Sequence, residues 1–196
     1  MCKFASFVLT KNQEFYIDGD DSHSTIIQKL HLHEMGARGA NIVKVEITPT
    51  DKIKKWPSLK VWKFVVDQDI LPDWHDAATT EKRTRAALER RYKAGFKTVD
   101  ASGCTALTEL KADAAKTVYA SGCTALTELK ADAAEYVDAR GCTALTELKA
   151  DAAKTVDASG CTALTELKAD AAEYVGARGC DPKLVIKAKK GCTIIR

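Results

Sequence analysis

The chain has 196 residues, 30 Lys and Arg against 27 Asp and Glu, and is 45% hydrophobic, which is enough to bury a sizeable core. A formal net charge of +3 is too small to argue by itself for a nucleic-acid partner. No apolar run is long enough to cross a membrane, no secretory leader is evident, and seven cysteines, an odd count, point to free thiols in a reducing cytoplasm.

From the N-terminus, FASFVLT (4–10) and EFYI (14–17) flank a short polar connection and read as a hairpin. Asp21 or Ser22 can cap a helix with Ile26, Ile27 and Leu30 on one stripe, ending before Gly36. NIVKVEIT (41–48) and LKVWKFVV (59–66) read as strands, Asp69 to Asp76 as a turn, and Ala77 to Ala94 as a long helix stopped by Gly95. The expected order is ββαββα. Thr84, Ala87, Leu88 and Tyr92 make the buried stripe of the last helix.

Three groups in this head carry possible chemistry. Asp67, Asp69, Asp73, His75 and Asp76 can hold a hard cation or activate water, although a turn before a helix also gathers Asp for capping. His31, His33 and Glu34 can be ligands, or can complement a helix end. Lys82, Arg83, Arg85, Arg90, Arg91 and Lys93 form either a solvated face or a patch for nucleic acid or an acidic protein.

Beyond residue 96 the chain repeats itself. Cys104, Cys123, Cys142, Cys161 and Cys180 recur every 19 residues, and KTVDASGCTALTELKADAA at 97–115 returns unchanged at 154–172. Small apolar residues at Cys123, Leu126, Leu129, Ala131, Ala134, Val137 and Ala139 are spaced by threes and twos, which suits neither a helix nor a long strand. The pattern predicts a solenoid with two short strands per coil, its cysteines stacked as a ladder of buried thiols. A lone coil gains roughly 6–10 kcal/mol from apolar burial, while ordering it costs about 1–2 kcal/mol per residue. Coils must therefore stack, and both ends need caps. At the far end Lys183 takes a Leu site, Pro182 a corner, and Lys187, Lys189, Lys190 and Arg196 guard the open edge, unless they serve as a phosphate-binding patch.

SGCTALTEL followed by two short strands resembles the BspA-like class of leucine-rich repeats over residues 97 to about 194. That resemblance implies a binding or surface scaffold without catalytic residues, and the short coil implies a straighter rod than the usual horseshoe. In the head, MCKFASFVLT, DSHSTIIQKLHLHE and VVDQDILPDWHD are similar to a domain of uncharacterised phage and prophage proteins. The fold expected is an α+β head and N-terminal cap (1–96) followed by an all-β, leucine-rich-repeat-like solenoid with a basic C-terminal cap (97–196).

On one sheet of the solenoid the outward residues are Glu128, Lys130, Asp132 and their repeats. On the other, coils alternate between Thr, Asp or Tyr, and Ser, and the pair Tyr and Arg. Tyr119, Tyr136, Arg140, Tyr174 and Arg178 are the candidate binding residues, since Tyr and Arg anchor interfaces. The Thr105 and Thr108 columns carry a weaker reading as an ice-binding face. A non-enzymatic protein-interaction or assembly module is expected, phage-encoded and directed at a host protein, with no cofactor, metal or membrane. The alternative is a head with metal-dependent hydrolytic or nucleic-acid-binding activity displayed on a repeat rod.

Overall fold

A computed structural model describes residues 5–17, 20, 22–36, 39–50 and 52–196. Cys2 and Asp21 lie outside the described residues. The head runs β1 (Ala5–Leu9), β2 (Glu14–Phe15), α1 (His23–Lys29), a short hairpin of β3 (Met35–Gly36) and β4 (Gly39–Ala40), β5 (Val43–Thr48), β6 (Lys63–Val66) and α2 (Ala77–Ala94). β2, β1, β5 and β6 form, in that order, an antiparallel sheet.

Alternation sorts the two faces of β5: Val43, Val45 and Ile47 are buried, while Lys44 and Glu46 are half-buried. Val8, Ile26 and Ile42 form a cluster joined by Phe15, Ile17, Ile27 and Leu32. Ser22 caps α1 by accepting the Thr25 N–H. This helix is shorter than expected, ending at Lys29, because His31 turns the chain at φ 51, in the left-handed region that no helix continues through. The strand expected over 59–66 is also shorter. Ser58 at φ 27 starts a 3-10 turn, Leu59–Val61, closed by the Val61 N–H on the Ser58 carbonyl, and only Lys63–Val66 is extended.

Asp76 caps α2, its Oδ1 accepting the Thr79 N–H at 2.8 Å. The buried stripe is Thr80, Thr84, Ala87, Leu88 and Arg91. Tyr92, expected inside, is exposed. Arg91 takes the inward place because the Tyr16 ring receives its guanidinium at 5.1 Å and the Ile17 carbonyl accepts from it.

The chain divides into two compact units, one of Phe4–Pro49 with Trp62–Ala94 and the other containing Thr50–Val61 with Gly95–Arg196. The second is a parallel β-solenoid. Its strands alternate between two sheets: β7 (Thr98–Asp100), β9 (Thr117–Tyr119), β11 (Tyr136–Asp138), β13 (Thr155–Asp157), β15 (Tyr174–Gly176) and β17 (Thr193–Ile195) in one, and β8 (Glu109–Lys111), β10 (Glu128–Lys130), β12 (Glu147–Lys149), β14 (Glu166–Ala169) and β16 (Val185–Ala188) in the other. Every residue pairs with its counterpart one coil on, as Leu129 does with Leu148 and Val137 with Val156.

Between the sheets the Leu, Val, Ala and Cys ladders are closed to solvent from Leu107 to Ala172, apart from slight exposure of the first-coil Ala112 and Ala115. The thiols do more than fill space: Cys123, Cys142 and Cys161 donate to the carbonyls of Ala101, Ala120 and Ala139 at 3.0–3.1 Å, tying each coil to the one before. The Thr hydroxyls are engaged in the same way, Thr127 donating to the Thr108 carbonyl and Thr146 to that of Thr127. They are exposed, and their hydroxyls fasten each corner to the one before. The glycine before each of Cys104, Cys123, Cys142, Cys161 and Cys180 sits at φ between 70 and 78, for which L side chains are poorly suited.

Cys123, Cys142, Cys161, Cys180 and Cys192 are free, but Cys104 is disulfide-bonded. The expectation of an entirely reduced column is overturned at its first member. Within the stack, parallel side chains one coil apart cannot bridge, whereas the cysteine that heads the column has no repeat before it.

The ends are closed by different devices. At the start, Lys54 and Lys55 mimic the coil that is missing: the Lys54 carbonyl accepts from the Thr108 N–H at 2.8 Å and from its hydroxyl at 2.9 Å, as Thr108 does for Thr127. Lys55 pairs in parallel with Glu109, the Trp56 N–H donates to the Glu109 carbonyl, and Ile53 and Trp56 are buried. Phe96 is buried as well. At the far end the corner slips by one residue, so Leu184 rather than Lys183 fills the Leu site. Leu184 is buried with its N–H on the Asp181 carbonyl, and Lys183 is exposed. Pro182, which has no N–H to give the corner, accompanies the slip. Arg196 then folds back onto the carbonyls of Pro182 and Leu184. Among the described residues no helix is long and apolar enough to cross a membrane.

Candidate functional site

On the sheet of β8 to β16 the outward lysines and aspartates pair with one another. Lys130 lies 3.5 Å from Asp113 and 3.3 Å from Asp132, Lys149 bridges Asp132 and Asp151, and Lys168 bridges Asp151 and Asp170. Each lysine thus joins the aspartate of its own coil to that of the coil before. Glu147 on the same face is exposed with no ion pair among the described residues.

The sheet of β7 to β17 is organised by aspartates that build corners. Asp100, Asp138 and Asp157 each accept the N–H two residues on, from Ser102, Arg140 and Ser159. In the third coil Arg140 adds a two-pronged pair to the same carboxylate, at 2.9 and 2.7 Å, and Asp138 is only 3% exposed. The Tyr119 and Tyr136 rings lie 5.7 Å apart, tilted at 54°. Burial, then the Asp138 charge, pushes the Tyr136 hydroxyl above its usual pKa, keeping it protonated as a donor.

The fifth coil departs from this. Gly176 stands in register where the earlier coils hold Asp157 and Asp138. A Cβ at Gly176 would meet Asp157 Oδ1 at 2.8 Å, so the site is closed to a side chain as long as Asp157 keeps its place. Arg178, the counterpart of Arg140, therefore has no carboxylate of its own, and it is exposed with no ion pair among the described residues. Tyr174, four residues earlier in the same coil, is 37% exposed. The five expected binding residues are thus unequal: Tyr119, Tyr136 and Arg140 are engaged with neighbours, while Tyr174 and Arg178 are presented.

The head's candidates are dispersed. Asp76 is a helix cap, and no ligand cluster among the described residues includes Asp69, Asp73, His75, His31 or His33. The basic helix is largely spoken for, with Arg83 and Arg90 on Glu14 and Arg85 on Glu81. Asp67 is different. Its Oδ2 lies 3.2 Å from His23 Nδ1, and the ligand atoms of His23, Glu46 and Asp67 all fall within 4.8 Å of one another. His23 and Glu46 escaped the reading of the sequence because they come from separate segments without a motif.

No protein-family model, curated protein or solved structure matches the chain.

Proposed function

We propose that the chain is a non-enzymatic protein-interaction module, and that the β7 to β17 sheet meets its partner through Tyr174 and Arg178, with Tyr136 and Tyr119 extending the contact. The observation that carries this is the exposed guanidinium of Arg178, without an ion pair among the described residues, in the coil where Gly176 replaces the corner aspartate and Tyr174, four residues earlier, is exposed as well. Arg and Tyr together supply rigid contact area and a planar donor set, the pair most often found as anchors in interfaces. The partner surface this fits carries a carboxylate within reach of an apolar patch. The resemblance of the coils to BspA-like leucine-rich repeats agrees with a binding scaffold, and that of the head to a phage domain makes a host protein the partner to seek first.

Affinity capture from a host lysate with the whole chain supplies the partner, and binding by variants then tests the face. Tyr174→Ser with Arg178→Ser should weaken the captured interaction at least about 30-fold, the loss of one interface anchor of about 2 kcal/mol. Arg140→Ser should change it little. Dependence instead on Glu128, Lys130, Glu147 and Lys149, with the Tyr and Arg set dispensable, would place binding on the opposite sheet.

A further inference from the structure

The His23 side chain is the first clue to a second site, inside the head unit. Its Nε2 lies 3.0 Å from the Val45 carbonyl, an acceptor only, so that nitrogen carries the proton. Nδ1 then faces Asp67 Oδ2 at 3.2 Å, and two lone pairs held at that distance require a cation between them. A proton would answer that contact alone. Glu46, the residue after Val45, brings a second carboxylate into the same 4.8 Å group, and among the described residues no hydrogen bond or ion pair answers it. Lys44, the nearest ammonium on the strand, is turned to Glu34 at 3.2 Å. Burial first, and then the Asp67 charge, raises the Glu46 pKa, with His23 pulling the other way.

We propose that His23 Nδ1, Glu46 and Asp67 bind a divalent first-row transition-metal ion, of which Zn2+ is the natural probe. One imidazole nitrogen with two carboxylates is a borderline donor set suited to such ions. Donor atoms about 2.1 Å from a tetrahedral ion stand about 3.4 Å apart, close to the 3.2 Å already separating His23 from Asp67. The Val45 carbonyl does for His23 what an outer partner does for a metal-bound imidazole, fixing its tautomer and ring plane. Three protein donors leave a coordination position for water, open to a cavity of about 300 Å³ lined also by Ser22, Ser24 and Lys44.

The test is calorimetric titration of the whole chain with Zn2+, with Co2+ absorption to report the donors. Expected are one ion per chain, micromolar or tighter, d–d bands without thiolate charge transfer, and weaker binding at low pH as the ligands protonate. Asp67→Asn and Glu46→Gln should each weaken binding at least about 10-fold, the loss that removing even an outer partner of a metal ligand causes. The Asp67 side chain is 56% exposed, so its replacement does not endanger folding, and an unchanged circular-dichroism spectrum checks this. Absence of micromolar binding, full binding by Asp67→Asn, or a thiolate band traceable to the free cysteines would each overturn the assignment.

Discussion

Cysteine and arginine each play two parts in this chain, and neighbours decide which. The Cys142 thiol first, and burial second, raise the pKa of Cys123. Cys142, favoured as thiolate by Cys123, is nevertheless pushed up to about 12 by Cys161 and burial. Thiolate is therefore scarce in the column at neutral pH, and alkylation of the native protein should be slow there. Denaturation without reductant should expose Cys123, Cys142, Cys161, Cys180 and Cys192 to alkylation and leave Cys104 blocked, which peptide mass spectrometry reads directly. A modified Cys104 would contradict the structure. The arginines split likewise: Arg140 closes on a nearly buried Asp138, so Arg140→Ser leaves that carboxylate with only the backbone N–H and should lower the unfolding midpoint. Arg178→Ser removes no partner, and its unfolding midpoint should match that of the unmodified chain.

Single elements show what repetition costs and what closes it. In a middle coil Leu148 is fully buried between copies of itself, and Leu148→Ala should cost about 2–5 kcal/mol in chemical denaturation. The segment at Lys54 to Trp56 acts as a coil without repeating one. Its Lys55 lies 2.7 Å from Glu109, which also meets Lys111 at 2.6 Å, and Lys111 first and Lys55 second hold the Glu109 carboxyl down at about 2. A carboxyl whose pKa is lower in the folded state stabilises fully above its ordinary value of 4.5, and that contribution is lost as pH falls from there towards 2. Melting followed across this window should show a shallower acid loss in Glu109→Gln than in the unmodified chain. An identical slope would mean that the contact is screened away.

At the scale of the whole molecule, what could be read from the letters was whatever repeated. The threes and twos from Cys123 to Ala139 reflect alternation and corners that every coil shares, so strands, register and inward ladders all followed from them. Contacts made once left no such trace. Ile53 and Trp56 stand in for a coil without its consensus, and His23, Glu46 and Asp67 are gathered only by the folding of α1 against the sheet. The Cys104 bond was hidden by the column's uniformity, which says nothing of a member lacking a predecessor. Of the binding face, the tyrosines and arginines were visible as residue types. That Arg140 is occupied and Arg178 is not depends on one aspartate having become Gly176. Hydrogen exchange of the chain with and without its captured partner tests this account most directly. Protection concentrated on Tyr174–Gly176 and the corner at Arg178, extending towards Tyr136, is the predicted footprint. Protection confined to the strands from Glu128 to Lys168, or to the head, would contradict it.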